Sequence, residues 1–244
     1  MIILYRIYFF LIAVPLLLVS TVLACFFTIF GSMIGLSRTM GYYPGMIWSK
    51  IFCILCWVSV EVKGRQNIRK KTSYVFVANH QGAFDIFAVY GYLRHNFRWM
   101  MKKSLEKIPL VGYTCRVCGN IFVDNSKPSA VRQTMEDAEK RLAGGMSVVV
   151  FPEGSRTLDG RMHGFRRGAF ALAVEFGLPV VPITIDGAFR VMPRTAWLPR
   201  PGHIILTIHE PIVPKEGERH DLASLMTASS YAIASSLPEN QRPR

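Results

Sequence analysis

The hydrophobic and polar positions divide the chain into two regimes. No charged side chain lies between Arg6 and Arg38, and no acid precedes Glu61. At about 1.5 Å per residue, a helix through that gap exceeds the roughly 30 Å hydrocarbon core of a bilayer. A single upright span overshoots, so the segment must tilt, bend or fold back. Pro15 offers a kink, and Gly31, Gly35, Gly41 and Gly45 permit a break before a second apolar run over 46–60. A short helical hairpin, a partly inserted anchor and a spanning helix all satisfy the pattern. "VLAC" ending at Cys25 has the form of a lipoprotein cleavage site, but the apolar run continues through Phe26, Phe27 and Ile29. A secretory h-region covers only about 7–15 residues, so retention as an anchor is expected.

Beyond residue 57 short apolar runs alternate with stretches of helical spacing. The pattern predicts strands over 58–63, 74–78, 97–101, 121–123, 147–151, 180–185 and 203–208, and helices over 84–93, 104–118, 129–143, 164–176 and 222–236. "SVVVF" and "VVPITI" are continuous apolar runs bounded by turn residues, as in central strands buried on both faces. Residues 129–143 interleave acids and bases before Gly144-Gly145, the pattern of a solvated outer helix. The order of elements predicts an α/β fold: a mixed, mainly parallel sheet flanked by helices and preceded by an N-terminal apolar helical membrane anchor. Residues 1–57 would be the anchor, as hairpin or span, and 58–244 the α/β domain. The loop over 187–202 carries Phe189, Val191, Met192, Trp197, Leu198 and three prolines, which suits a lid, a membrane-facing surface or a packed Ω-loop. The tail "SLPENQRPR" has the composition of a frayed end.

Composition sharpens this picture. A chain of 244 residues is long enough for one well-buried domain plus an appendage. Its net charge of +13, from 29 basic and 16 acidic residues, suits nucleic acid, an anionic membrane surface or phosphorylated substrates. No zinc finger, RNP-like aromatic motif or basic helical run is present, and an apolar anchor beside the charge favours the last two, so no nucleic-acid partner is expected. Five cysteines are an odd number and no disulfide framework at this length. Cys53-x-x-Cys56 and Cys115-x-x-Cys118 have redox and metal spacing, but the first pair lies in "IFCILCWVSV" and the second in the predicted 104–118 helix, as core or bilayer-facing thiols do.

The candidate chemistry sits where the apolar runs stop. In "VFVANHQGAFDIF" a strand ends at Ala78 and helical spacing resumes at Phe84, leaving His80 and Asp85 in the joint. On one helix the two would lie about 140° apart, and on one strand they would face opposite sides. They meet only if the chain turns at Gln81-Gly82. An imidazole with one nitrogen held by a carboxylate presents the other as a base; the plainer alternative is an Asp85 that complements a helix N-terminus beside a satisfied loop histidine. In "VVVFPEGSRT" the residues Glu153, Gly154, Ser155 and Arg156 follow a buried strand, where Arg156 can grip a phosphate or carboxylate, Gly154 can admit a ligand, and Glu153 can orient either. A polar turn with a local ion pair fits as well. Arg166 and Arg167 stand at a helix start, where cations oppose the dipole.

"NHQGAFD", "GNIFVDN", "FPEGSRT" with "FRRGAF", and "VVPITI" occur in the order and approximate spacing of the four blocks of the glycerolipid acyltransferases. Over 73–185 the chain resembles the 1-acylglycerol-3-phosphate (lysophosphatidate) acyltransferases of that family, and its apolar N-terminus is similar to that of bacterial members. The resemblance implies His80 as general base with Asp85 as its orienter. It implies Phe151, Pro152, Glu153, Gly154, Ser155 and Arg156 on the phosphate-bearing acceptor, with Lys103 adding charge and Val181 and Pro182 on the acyl-donor side. It implies transfer of a fatty acyl group from acyl-CoA or acyl carrier protein to the free hydroxyl of lysophosphatidate, giving phosphatidate in phospholipid synthesis. No bound cofactor is implied, and no metal, because the histidines lack ligand spacing. The partners would be membrane lipid and the thioester carrier, at a cell membrane with the catalytic domain facing the cytoplasm, where such carriers reside. One block departs from the family: Asn125 stands after Phe122, Val123 and Asp124 where an arginine is common, and Asn cannot replace its charge, though Lys127 is near. That departure leaves open a different lysolipid acceptor, with a head group or derived from an amino acid. A serine hydrolase is disfavoured, since "EGSRT" is not G-x-S-x-G.

Overall fold

The computed structural model describes residues 2–124, 128–143, 145–214 and 221–243. The helices α1 (Ile2–Tyr8), α2 (Val14–Met33), α3 (Ser37–Met40) and α4 (Tyr43–Leu55) precede the first strand. Then follow β1 (Val58–Lys63), β2 (Val75–Ala78), α5 (Phe84–Tyr92), β3 (Phe97–Lys102), α6 (Val111–Val117), β4 (Ile121–Val123), α7 (Pro128–Ala143), β5 (Ser147–Val150), α8 (Gly168–Glu175), β6 (Val180–Asp186), α9 (Ala188–Val191), β7 (Gly202–Ile208) and α10 (Asp221–Ser235).

The strands form one seven-stranded sheet in the order β1-β7-β6-β2-β5-β3-β4. Neighbours run parallel except β6 and β7, which is the mixed, mainly parallel sheet the sequence predicts. β2 is buried along its whole length, as expected of a continuous apolar run with helices on both faces. β7 alternates buried and half-covered positions, as a strand nearer the edge does. This topology gathers the C-terminal ends of β2 to β6 on one edge. Because β1 and β7 run the other way, their N-terminal ends share that edge.

The apolar N-terminus is a hairpin laid along the sheet domain. Helix runs from Ile3 to Met33, 31 residues, long and apolar enough to cross a membrane. Pro15 has no N–H for the ladder, and a π-turn over Phe9–Ala13 precedes it, with the Val14 N–H donating to the Phe9 carbonyl. After the break at Gly35, α4 returns beside α2: Trp48 Nε1 donates to Thr21 Oγ1 (2.8 Å), and Tyr8 Oη to the Leu55 carbonyl (3.1 Å). At 13 residues α4 covers only about 20 Å, too short to cross a bilayer alone. Phe9, Ala13 and Leu17 share one buried cluster with Val58, Ile183, Ile204 and Leu206, so the core runs across the expected boundary at residue 57. Buried Arg98 on β3 fixes the far end by donating to the Ser37 and Arg38 carbonyls. The opposite face, with Leu4, Leu11, Leu18 and Phe26, stays exposed.

Three expectations need correction. The helix over 104–118 is a 3₁₀ turn, Lys103–Lys107, followed by α6, because Pro109 interrupts the ladder and Leu110 adopts φ +60°. The helix over 164–176 begins only at Gly168, its expected first turn drawn into the loop after β5. The tail is not frayed: it forms a turn over Glu239–Gln241 with Gln241 buried.

Candidate active site

β2 ends in a way that builds the site. Buried Asn79 imitates a peptide group, donating from Nδ2 to the Ile185 carbonyl (2.9 Å) and accepting the Ile185 N–H at Oδ1 (2.8 Å). It thereby extends the grip on β6 while the main chain leaves the ladder. The chain then turns at Gly82, where a Cβ would lie 2.5 Å from the Ala188 carbonyl oxygen, so no larger residue fits. The turn delivers Asp85, in the first turn of α5, back to His80.

Asp85 is wholly buried, and its Oδ2 accepts three donors: His80 Nδ1 (2.8 Å), the Gln81 N–H (2.6 Å) and the Gly82 N–H (2.8 Å). The carboxylate closes the turn and holds the imidazole at once, so one geometry suits both the structural and the orienting reading of Asp85. An oxygen that only accepts requires the proton on Nδ1, which leaves the Nε2 lone pair for a ligand. The His80 side chain is 14% exposed. Its ring stacks on Phe151 at 4.0 Å and 10°, and Phe151 stacks on Trp99 at 5.5 Å and 23°.

Glu153 has a different place from the one its motif suggests. Oε1 accepts the His80 N–H (2.8 Å), which ties the loop after β5 to the turn after β2, and Oε2 accepts the His163 N–H (3.0 Å) farther along the same loop. Burial pushes its carboxyl from 4.5 up to about 7, against the two N–H bonds, with the Asp85 charge adding to the rise. Between those values the folded state keeps a proton that the unfolded state has lost. Stability from this group is therefore present below pH 4.5 and falls as pH rises to 7, by about 3 kcal/mol in all. Glu153→Gln does not titrate. The thermal midpoint of the wild type in detergent is expected to drop between pH 5 and pH 8 by roughly 5–10 °C more than that of Glu153→Gln; parallel curves would contradict the assignment.

The other candidate residues separate into two groups. Arg156 is half-exposed and Ser155 exposed, in the loop whose Thr157 N–H donates to the His80 carbonyl (3.0 Å). Among the described residues the Arg156 guanidinium has no partner. Gly154 adopts φ +76°, and a Cβ there would fall 2.7 Å from Arg166 Cζ, so the exposed Arg166 lies across it. Pro152 is buried beneath this loop. Lys103 stands farther off, with β5 between β3 and β2, or about 10 Å across the sheet. It pairs with Glu106 (3.2 Å), which also holds Arg116 (2.9 Å), at a pocket of about 290 Å³ that Asp124 also lines. Val181 and Pro182 are buried within β6 and present no surface. Asn125 and Lys127 lie outside the described residues.

One contact had no signal in the sequence. Wholly buried Gln81, next to His80, donates from Nε2 to Gln241 Oε1 (2.8 Å) and the Gly160 carbonyl (3.1 Å), while the Gln241 carbonyl accepts the Met162 N–H (2.9 Å). The C-terminal tail thus packs against the turn that carries His80.

Comparison with known proteins gives a consistent picture. Residues 59–186 match a family model described as Acyltransferase. A 1-acyl-sn-glycerol-3-phosphate acyltransferase of Chlamydomonas reinhardtii is 34% identical over 182 residues, 73% of this chain and 53% of that one. One from Pseudomonas aeruginosa is 33% identical over 166 residues, 68% of this chain and 63% of its own. Among solved structures, the 1-acyl-sn-glycerophosphate (LPA) acyltransferase PlsC of Thermotoga maritima superposes with a TM-score of 0.77 at 29% identity, covering 95% of this chain and 92% of that one. The chain spans about half the length of the Chlamydomonas relative and 49% of a chloroplastic Arabidopsis thaliana one.

Proposed function

Since the chain belongs to the Acyltransferase family, we propose that it moves a fatty acyl group from acyl-CoA or acyl carrier protein to the free hydroxyl of lysophosphatidate, forming phosphatidate. The observation that carries this reading is an imidazole locked at Nδ1 by a buried carboxylate, with Nε2, and the Arg156 guanidinium in the adjoining loop, both without a partner among the described residues. Nε2 removes the hydroxyl proton as the acceptor oxygen attacks the thioester carbonyl, and the Asp85 charge stabilises the imidazolium. Collapse of the tetrahedral intermediate breaks the C–S bond, and the thiolate leaves with the proton that His80 returns. The products are an ester and a free thiol, with no acyl-enzyme between. Arg156, with Arg166 across Gly154, supplies the positive charge for the acceptor phosphate, and Phe151 fixes the ring plane of His80.

The exposed apolar face of the N-terminal hairpin lies in the cytoplasmic leaflet of the cell membrane, where the lysolipid resides and the carrier arrives. In this reading residues 1–57 are the anchor and 58–244 the catalytic domain, joined by a shared core. A second reading keeps the chemistry and changes the acceptor. Glu106 already shares the charge of Lys103, and Asn125 stands where the resemblance calls for arginine, which favours a lysolipid with less negative charge.

The test is acyl transfer by the purified full chain from labelled acyl-CoA and acyl carrier protein to a panel of lysolipids. Lysophosphatidate is expected to be acylated fastest. Transfer confined to a head-group lysolipid would replace the acceptor and keep the mechanism, while no transfer from either carrier to any acceptor would overturn the function.

A further inference from the structure

We propose that the segment between α9 and β7, centred on Trp197, is a second lipid-contact site that seats the mouth of the active site on an anionic bilayer surface. The proposal rests on the membrane association assigned above to the N-terminal hairpin, and adds a contact made by the α/β domain itself. Trp197 is 93% exposed, although folding normally covers most of an indole. Arg194 and Arg200 flank it, both exposed, and among the described residues neither guanidinium has a partner. Arg190, by contrast, is paired with Asp186 at 3.4 Å.

Both ends of the segment are fixed to informative neighbours. On one side Gly82 bridges to Pro193, and the Ala83 N–H donates to the Met192 carbonyl (3.1 Å), which holds the segment against the turn that carries His80. On the other the Gly202 N–H donates to the Trp57 carbonyl (3.2 Å). The half-exposed ring of Trp57 packs against Tyr5 and Tyr8, at 5.3 and 5.1 Å, where the apolar helix begins. Tyr5, Tyr8 and Trp57, and the segment that carries Trp197 with two arginines unpaired among the described residues, therefore all lie at the sheet edge that bears His80. Amphipathic rings beside cations, continuous with an exposed apolar helix face, have the composition of a membrane interface.

Two other occupants fit less well. A second copy of the chain would bring the same unpaired arginines together. A closing lid needs a free hinge, but the segment is pinned at Pro193 and again by the Arg200 N–H on the Val191 carbonyl (2.9 Å).

The experiment uses the full chain in phosphatidylglycerol nanodiscs, with and without bromine at shallow acyl positions, comparing wild type with Trp197→Phe. Bromolipid is expected to quench the emission that Trp197→Phe removes, and Arg194→Gln/Arg200→Gln is expected to relieve at least half of that quenching. In the same discs the double variant should raise KM for an embedded acceptor by roughly fivefold per arginine, leaving kcat unchanged. Equal fractional quenching of wild type and Trp197→Phe would overturn the proposal. So would quenching of Trp197 that appears only after the acyl donor is added, which would mark a lid, or shielding that grows with protein density, which would mark a second copy. The quenching readout needs no turnover, so an inactive protein whose Trp197 is quenched would sink the acyl-transfer reading and sustain this one; a chain that does not associate with the discs would sink the membrane reading and this proposal together.

Discussion

His80→Ala is expected to lower kcat for acyl transfer by about 10²–10⁴-fold, the usual worth of a positioned general base, while KM for either substrate stays within about threefold. Among the described residues the imidazole is the only side chain bonded to Asp85; the other two donors to the carboxylate are backbone N–H groups. Removing the ring leaves the turn closed by the Gln81 and Gly82 N–H groups, and the residue lost is partly exposed. The thermal midpoint should therefore fall by no more than roughly 5 °C. Steady-state kinetics and a melt of the same preparation check both halves. A variant that keeps more than a tenth of wild-type kcat would remove His80 from the chemistry. A variant that loses activity together with its cooperative melt would say only that the ring holds the turn.

Much of this site was legible in the sequence because its geometry is local. A strand that ends, a glycine at the bend and an acid in the first turn of the next helix are enough to bring His80 and Asp85 together. What escaped was set by contacts far apart in the chain. Gln81 meets Gln241 through a polar tail with no periodicity, so nothing in either segment announced the pairing. Glu153 looked free to orient a ligand because its partners are backbone N–H groups of His80 and His163, which leave no trace in residue type. Pro109 argues against one helix over 104–118, although the spacing on both sides of it is helical. The sheet was foreseeable from the alternation of elements, whereas the reversal between β6 and β7, which puts Trp57 on the edge that bears His80, follows from strand order that no single segment encodes.

The carboxylate of Asp85 offers the larger test, because two substitutions separate its charge from its orienting role. In Asp85→Asn the amide oxygen should take the Oδ2 position, since the opposite rotamer would point an NH₂ group at the Gln81 and Gly82 N–H donors. That orientation preserves the turn and still accepts the Nδ1 proton, so the tautomer is kept and only the charge opposite the imidazolium disappears. The amide nitrogen then occupies the place of Oδ1, which among the described residues is already buried without a partner, and the midpoint should stay within about 4 °C of wild type. A loss of about 10²-fold in kcat is expected from the missing charge alone. Asp85→Ala removes the acceptor as well. Two buried backbone N–H groups are then left unsatisfied, costing about 1–3 kcal/mol each, and the midpoint should fall by roughly 5–15 °C. The untethered ring should carry the loss in kcat to about 10³–10⁴-fold. Equal kcat in Asp85→Asn and wild type would mean that the charge is not used. Equal activity and melting in the two variants would mean that Asp85 does not orient His80, and that the 2.8 Å contact is incidental to catalysis.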